Sequence, residues 1–340
     1  MDINGKKIMI TTGGGIGDSI MFTPALRRIK ELYPSAHLTF LTRYPNHRLL
    51  EGLPYIDKLI YIQRGTAFSR LRIVPHLAGQ DALVMTDWQP QTLLFAKLLG
   101  VPLRAGYPRD GHPFSKYLTK HIKPSVFAST DFAAETNAKV FSDALDIRID
   151  GDMTRTDVSA PTADELSSVE KKLEAISAEG EYIVMCPFTS ELAKDFPPAE
   201  AMRCAALLEE RYHAPVVWIG SPERAGEIRS PHNLMGKTTV GESIAVLKKA
   251  RFLVSADTGP VHISAALGTP TVVLFGAMTT SIWAPKRHAR IVACDGNTSF
   301  IRPDTVEEYE RQGLLRMAAI RSEQVLEAVE TLLREESQRE

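Results

Sequence analysis

Two stretches of this 340-residue chain combine residue types and spacings that suit proton and anion chemistry. The first is Asp257-Thr258-Gly259-Pro260-Val261-His262, which follows the apolar run Phe252–Ala256 and opens a short helix ended by Gly268. A turn of that kind offers backbone N–H groups to an anion, and Gly259 lets a phosphate come close because it has no Cβ. Pro260 falls at the first helical position, where a missing N–H costs nothing. An ordinary strand–helix crossover reads the same way, and His262 one turn in is as readily a packed core histidine as a ligand. The second stretch is Gly13-Gly14-Gly15-Ile16-Gly17-Asp18, directly after the apolar Lys7–Thr12. It imitates a dinucleotide fingerprint but fails at the third glycine, where Asp18 stands. The next strand ends in Thr42-Arg43 instead of an acidic ribose ligand. A nicotinamide-dependent dehydrogenase is therefore disfavoured. What remains is a carboxylate on a flexible turn at the mouth of a sheet. Asp18 can serve there as a general base, as the cap of the following helix, or as both.

The elements that must position these residues alternate regularly. Strand-like runs at Lys7–Thr12, His37–Leu41, Lys58–Ile62 and Ala82–Thr86 are separated by helical or loop stretches. Tyr182–Cys186, Val216–Gly220, Phe252–Ala256 and Thr271–Phe275 repeat the pattern. Such βα alternation predicts parallel sheets covered by helices on both faces. The length suits about two domains. Polar, aperiodic residues from Asp146 to Pro161 mark the crossing, so the domains are expected at 1–158 and 159–320, with a closing amphipathic helix in 321–340. Pro24 lies inside the apolar pattern of the first helix and predicts a kink or restart.

Net charge is -1, which gives no sign of a nucleic-acid partner. Residues 1–160 nevertheless carry 20 Lys/Arg against 15 Asp/Glu, and residues 161–340 carry 20 against 26. The basic excess includes Arg64, Arg70 and Arg72 in one loop and a second cluster from Arg104 to Lys123. Charges like these are commonly a solvated surface. Three scattered cysteines (Cys186, Cys204, Cys294) show no zinc spacing and suit a reducing compartment. No apolar run approaches the ~20 residues needed to span a bilayer. A cytoplasmic protein is expected, with contact at a membrane surface left open.

Asp257-Thr-Gly-Pro-x-His262, Ala265-Ala-Leu-Gly268-x-Pro270 and Leu274-Phe-Gly276, together with Gly17-Asp18 and Pro24-Ala25-Leu26, resemble the signatures of glycosyltransferase family 9, the heptosyltransferases. That resemblance implies a GT-B fold: two Rossmann-like domains whose parallel sheets face an interdomain cleft. It implies an inverting, metal-independent transfer of a sugar, heptose from ADP-heptose, onto a lipopolysaccharide-core or related acceptor. Asp18 would be the base. Thr189, Ser190 and Lys194, after the strand at Tyr182–Cys186, would contact the donor phosphates, with Asp257, Thr258, Gly259 and His262 completing that site. A lysine is a point charge that can follow a departing diphosphate. Glu223, in the loop after Val216–Gly220, is placed to accept from ribose hydroxyls, although a solvated loop acid would look the same. Arg64, Arg70 and Arg72 would dock an anionic glycolipid on the first domain. The partners implied are the nucleotide sugar and that acceptor, at the cytoplasmic face of the inner membrane; no cofactor or metal ligand set is implied. Three other readings stay open: the same fold with another nucleotide-sugar donor, a nucleotide-sugar epimerase, and a non-catalytic glycan-binding module.

Overall fold

The structure is a computed structural model that describes residues 2–63, 71–126, 131–294 and 302–338. The chain divides into two compact units, Met1–Ser159 and Ala160–Glu340.

In the first unit the strands are β1 (Lys7–Thr11), β2 (His37–Arg43), β3 (Lys58–Ile62), β4 (Ala82–Met85), β5 (Leu103–Gly106) and β6 (Lys120–His121). The helices are α1 (Ile16–Met21), α2 (Thr23–Leu32), α3 (Val74–Leu77), α4 (Pro90–Leu98) and α5 (Ala133–Leu145). The strands form one parallel sheet in the order β3-β2-β1-β4-β5-β6. Its central strands are apolar runs because both faces are covered; all four residues of β4 are buried. In this order the chain leaves β1 toward one edge and β4 toward the other. The loops after β1 and β4 therefore border a crevice at the carboxyl ends of the strands, where α/β sheets bind ligands. Pairing of Thr11 with both Leu41 and Met85 sets the ends of β1, β2 and β4 side by side.

The predicted restart at Pro24 is present: α1 ends at Met21, and α2 begins with Pro24 in its first turn. The second basic stretch is not a solvated loop throughout. Leu103–Gly106 joins the sheet, and Arg104, 9% exposed, donates from Nε to the Tyr117 carbonyl and from Nη1 to the Val101 carbonyl. Burial of a guanidinium is tolerable there because carbonyl oxygens receive its N–H groups.

The second unit contains α6 (Ala163–Ala175), β7 (Ile183–Cys186), α7 (Pro198–Tyr212), β8 (Val216–Trp218), α8 (Val240–Lys249), β9 (Leu253–Ala256) and α9 (Gly259–Leu267). There follow β10 (Thr271–Phe275), α10 (Thr280–Trp283), β11 (Ala289–Ala293), α11 (Val306–Ala318) and α12 (Ser322–Ser337). Its parallel sheet runs β11-β10-β9-β7-β8. Counted from β7 this is the 2-1-3-4-5 order, so the switch point lies between β7 and β9. Trp218, Phe196 and Phe252 fill the core beneath. The final helix α12 packs on α7, β10 and β11, and the Ser322 amide and hydroxyl both donate to the Glu200 carboxylate.

Glu242 closes a reciprocal cap with Thr239 at the start of α8 and also accepts from Ser168 and Lys172. Burial works to raise its pKa, but Lys172, Ser168 and the Thr239 amide outweigh it and hold the carboxyl at about 2. Its role is structural, as the capping-box spacing of Thr239 and Glu242 predicts.

Candidate active site

In the first unit, Asp18 lies in the first turn of α1 and is half-buried. Its Oδ2 accepts the Gly15 amide at 2.7 Å. That bond is one half of a capping box, so Asp18 does cap the helix, and its other oxygen still has lone pairs to offer. The turn is pinned from below. Asn46 donates to the Gly14 carbonyl at 3.1 Å and to Ser19 Oγ at 3.3 Å, and Ser19 Oγ reaches the Gly15 carbonyl at 3.0 Å. A Cβ on Gly14 would stand 2.4 Å from the Asp18 Cβ, so only glycine permits this packing.

The switch point brings in two residues that were not singled out in the sequence as site residues. A Cβ on Gly13 would meet Asp87 Oδ2 at 2.2 Å and Arg43 Nη2 at 2.6 Å. Asp87 follows β4, and Arg43 ends β2. Burial raises the Asp87 pKa, with the Gln89 amide, Arg43 and the Gly13 amide opposing. In sequence, Arg43 only counted against a dinucleotide site, and Asp87 is one acid among 41 Asp and Glu; the strand order makes them neighbours.

In the second unit, the loops after β7 and β9 meet. Lys194 Nζ lies 3.2 Å from Glu191 Oε1 and 3.7 Å from Asp257 Oδ2, its side chain 14% exposed. The lysine is therefore a largely enclosed charge with carboxylate neighbours. Glu191 also accepts from Tyr309 Oη at 2.8 Å. Burial acts to raise the Glu191 pKa, but Lys194, Tyr309 and Arg302 together hold it below the usual range. Tyr309 belongs to α11, which rests on the Lys194 turn: a Cβ on Gly313 would stand 2.3 Å from the Ala193 carbonyl oxygen. Neither Glu191 nor Tyr309 carries a motif, and no local pattern points to them.

The remaining predicted donor residues distribute unevenly. Thr258 is the N-cap of α9 and makes no side-chain cap bond, while its carbonyl accepts the Val261 amide at 3.1 Å. His262 is buried in the next turn. The Thr189 hydroxyl bridges the carbonyl and amide of Glu191, and its own amide donates to Asp195 at 2.6 Å. Asp195 in turn pairs with Arg224, which stacks on Phe188 at 4.0 Å. Thr189 thus shapes the loop, whereas Ser190 is exposed. Glu223 is exposed on the turn after β8, its carboxyl lowered by the Ser221 hydroxyl and its own amide. Of the predicted acceptor residues, Arg72 is described and exposed; Arg64 and Arg70 lie outside the described residues. The three cysteines form no disulfide and are buried, and burial raises Cys186 to about 12, far from a nucleophile at neutral pH.

Two parallel, doubly wound sheets of six and five strands define a GT-B-like fold. The sequence profile of glycosyltransferase family 9 (heptosyltransferase) matches residues 82–309, and the chain belongs to that family. It is 24% identical over 341 residues to lipopolysaccharide heptosyltransferase 3 of Escherichia coli K12, covering 94% of this chain and 96% of that one. A family 9 glycosyl transferase from Veillonella parvula superposes with a TM-score of 0.83 at 20% identity, covering 98% of this chain and 99% of that one. The E. coli ADP-heptose lps heptosyltransferase II superposes at 0.78 and 20% identity, with 97% and 99% covered.

Proposed function

We propose that this enzyme transfers heptose from ADP-heptose to a lipopolysaccharide-core or related glycan, with inversion and without a metal. The observation that carries the reading is the Lys194–Asp257 pair at the head of α9. A diphosphate there gains a charge-assisted bond from Lys194 and the oriented amides of Thr258 and Gly259. Those groups hold the charge that develops as ADP departs, the task a divalent ion performs in other enzymes. Asp18 removes the proton from the acceptor hydroxyl as that oxygen attacks the anomeric carbon from the face opposite the diphosphate. Arg72, with Arg64 and Arg70, supplies positive charge for an anionic acceptor. The donor choice is supported by the relative named for ADP-heptose.

Cytoplasmic placement fits three buried cysteines that form no disulfide. Among the described residues no helix is long and apolar enough to cross a membrane. The test is direct. The purified protein is incubated with ADP-heptose, with and without a lipopolysaccharide-core acceptor, while ADP release and the anomeric configuration of the product are followed by NMR. Acceptor-dependent release with inversion is expected. Conversion of the donor alone would favour an epimerase, and retention would overturn the mechanism.

A further inference from the structure

Arg43 presents its guanidinium beside the Gly-rich turn that carries Asp18. It is half-buried at the end of β2, yet among the described residues it donates no hydrogen bond and has no carboxylate within ion-pair distance. Asp87, the acid whose charge it feels, stands beside it without pairing: Gln89 Nε2 donates to Asp87 Oδ1 at 2.8 Å, the Gly13 amide also serves the carboxylate, and a Cβ on Gly13 would lie 2.2 Å from Asp87 Oδ2. Both side chains nonetheless close on one point, since a Cβ on Gly13 would lie 2.6 Å from Arg43 Nη2. The next residue, Gly14, packs against Asp18 in the same manner. A planar fork with five donors and no hydrogen-bond acceptor among the described residues suits a bidentate oxyanion, and half-burial strengthens that bond relative to open water.

We propose that Arg43 binds an anionic substituent, phosphate or carboxylate, of the acceptor glycan and thereby selects which hydroxyl meets Asp18. It is a specificity-determining residue, and the inference rests on the reading of Asp18 as the base that faces the acceptor. Consecutive glycines carry the two functions: Gly13 admits the anion-binding fork, and Gly14 admits the base.

The test is calorimetric and needs no turnover. Core oligosaccharide from lipopolysaccharide is prepared in native, phosphatase-treated, carboxyl-reduced and doubly treated forms. Each is titrated into wild type, Arg43→Gln and Arg43→Lys, and ADP is titrated as the control. Arg43→Gln should bind the native form about tenfold or more weakly, should match wild type on the form that lacks the recognised anion, and should bind ADP unchanged. Arg43→Lys should recover part of the loss, because it restores charge but not the fork. Whichever single treatment abolishes the difference identifies phosphate or carboxylate as the group read. Equal affinity of wild type and Arg43→Gln for the native form overturns the proposal. So does an equal loss on all four forms, a matching loss of ADP affinity, or a wild type that binds no oligosaccharide. A wild type that binds the native form through Arg43 but transfers nothing to it would instead refute the proposed function and leave the anion site standing.

Discussion

Lys194 Nζ stands 3.7 Å from Asp257 Oδ2, joining the loops that follow two adjacent strands of the second unit. Both groups are largely shielded, with side chains 14% and 8% exposed. The ammonium is thus held in place before any ligand arrives, so little side-chain entropy remains to be lost on binding. Glu191 and Asp257 offset its charge in the meantime.

Lys194→Ala should weaken ADP binding by about tenfold or more and leave adenosine binding nearly unchanged, since the contact proposed for the ammonium is with the diphosphate alone. Titration of both ligands checks this. Equal losses would exclude a phosphate role.

Asp18→Asn should lower kcat by about 10²–10⁴, the usual worth of general-base assistance, with ADP affinity intact. Asparagine can still accept the Gly15 amide through its carbonyl, so the melting temperature should fall little. A variant that keeps more than about a tenth of wild-type kcat, with chemistry rate-limiting, removes Asp18 from the base role.

Gly313→Ala offers a test of the scaffold. In an exposed helix this exchange stabilises by up to about 1 kcal/mol. Here the added methyl meets the Ala193 carbonyl oxygen at 2.3 Å, and the backbone must move. Stability should fall instead of rising, and ADP affinity should fall with it as the Lys194 turn shifts. Thermal melts with and without ADP separate the two effects.

Glu242 makes stability depend on acid pH. Its carboxyl is held at about 2 against an unperturbed 4.5. The unfolded chain therefore binds the proton more readily, and the contribution is full above about 4.5 and disappears as pH falls toward 2. Glu242→Gln should lose roughly 1.5–3 kcal/mol at pH 7, the worth of hydrogen bonds to a charged group, and should show a flatter stability profile across that window. Denaturant melts at several pH values decide it. An unchanged acid profile would show that the Lys172 pair contributes nothing measurable.

Turnover should survive excess EDTA with purified donor and acceptor, because Lys194 and the α9 amides are assigned the metal's task. Strict dependence on added Mg²⁺ or Mn²⁺ would overturn that assignment.

The residues themselves determined a good deal. Apolar runs buried on both faces identify β1, β2, β4, β7, β9 and β10, because a parallel strand covered by helices has no polar face to show. The Gly-rich turns and the Thr239–Glu242 cap are local, so their chemistry is written in neighbouring positions. Edge elements escaped for the opposite reason: β5, with Arg104 in it, and two-residue β6 lack an apolar run and exist because β4 offers an edge to β5, and β5 in turn to β6. The partners of the functional groups were likewise beyond reach. Arg43, Asp87 and Gly13 converge only because β2, β1 and β4 lie side by side, and Glu191 is fixed by Tyr309 from a helix 118 residues away. Side-chain type and spacing define which groups can do chemistry. Strand order and helix packing decide which charges face one another, because those distances are set by contacts between segments that no local pattern encodes.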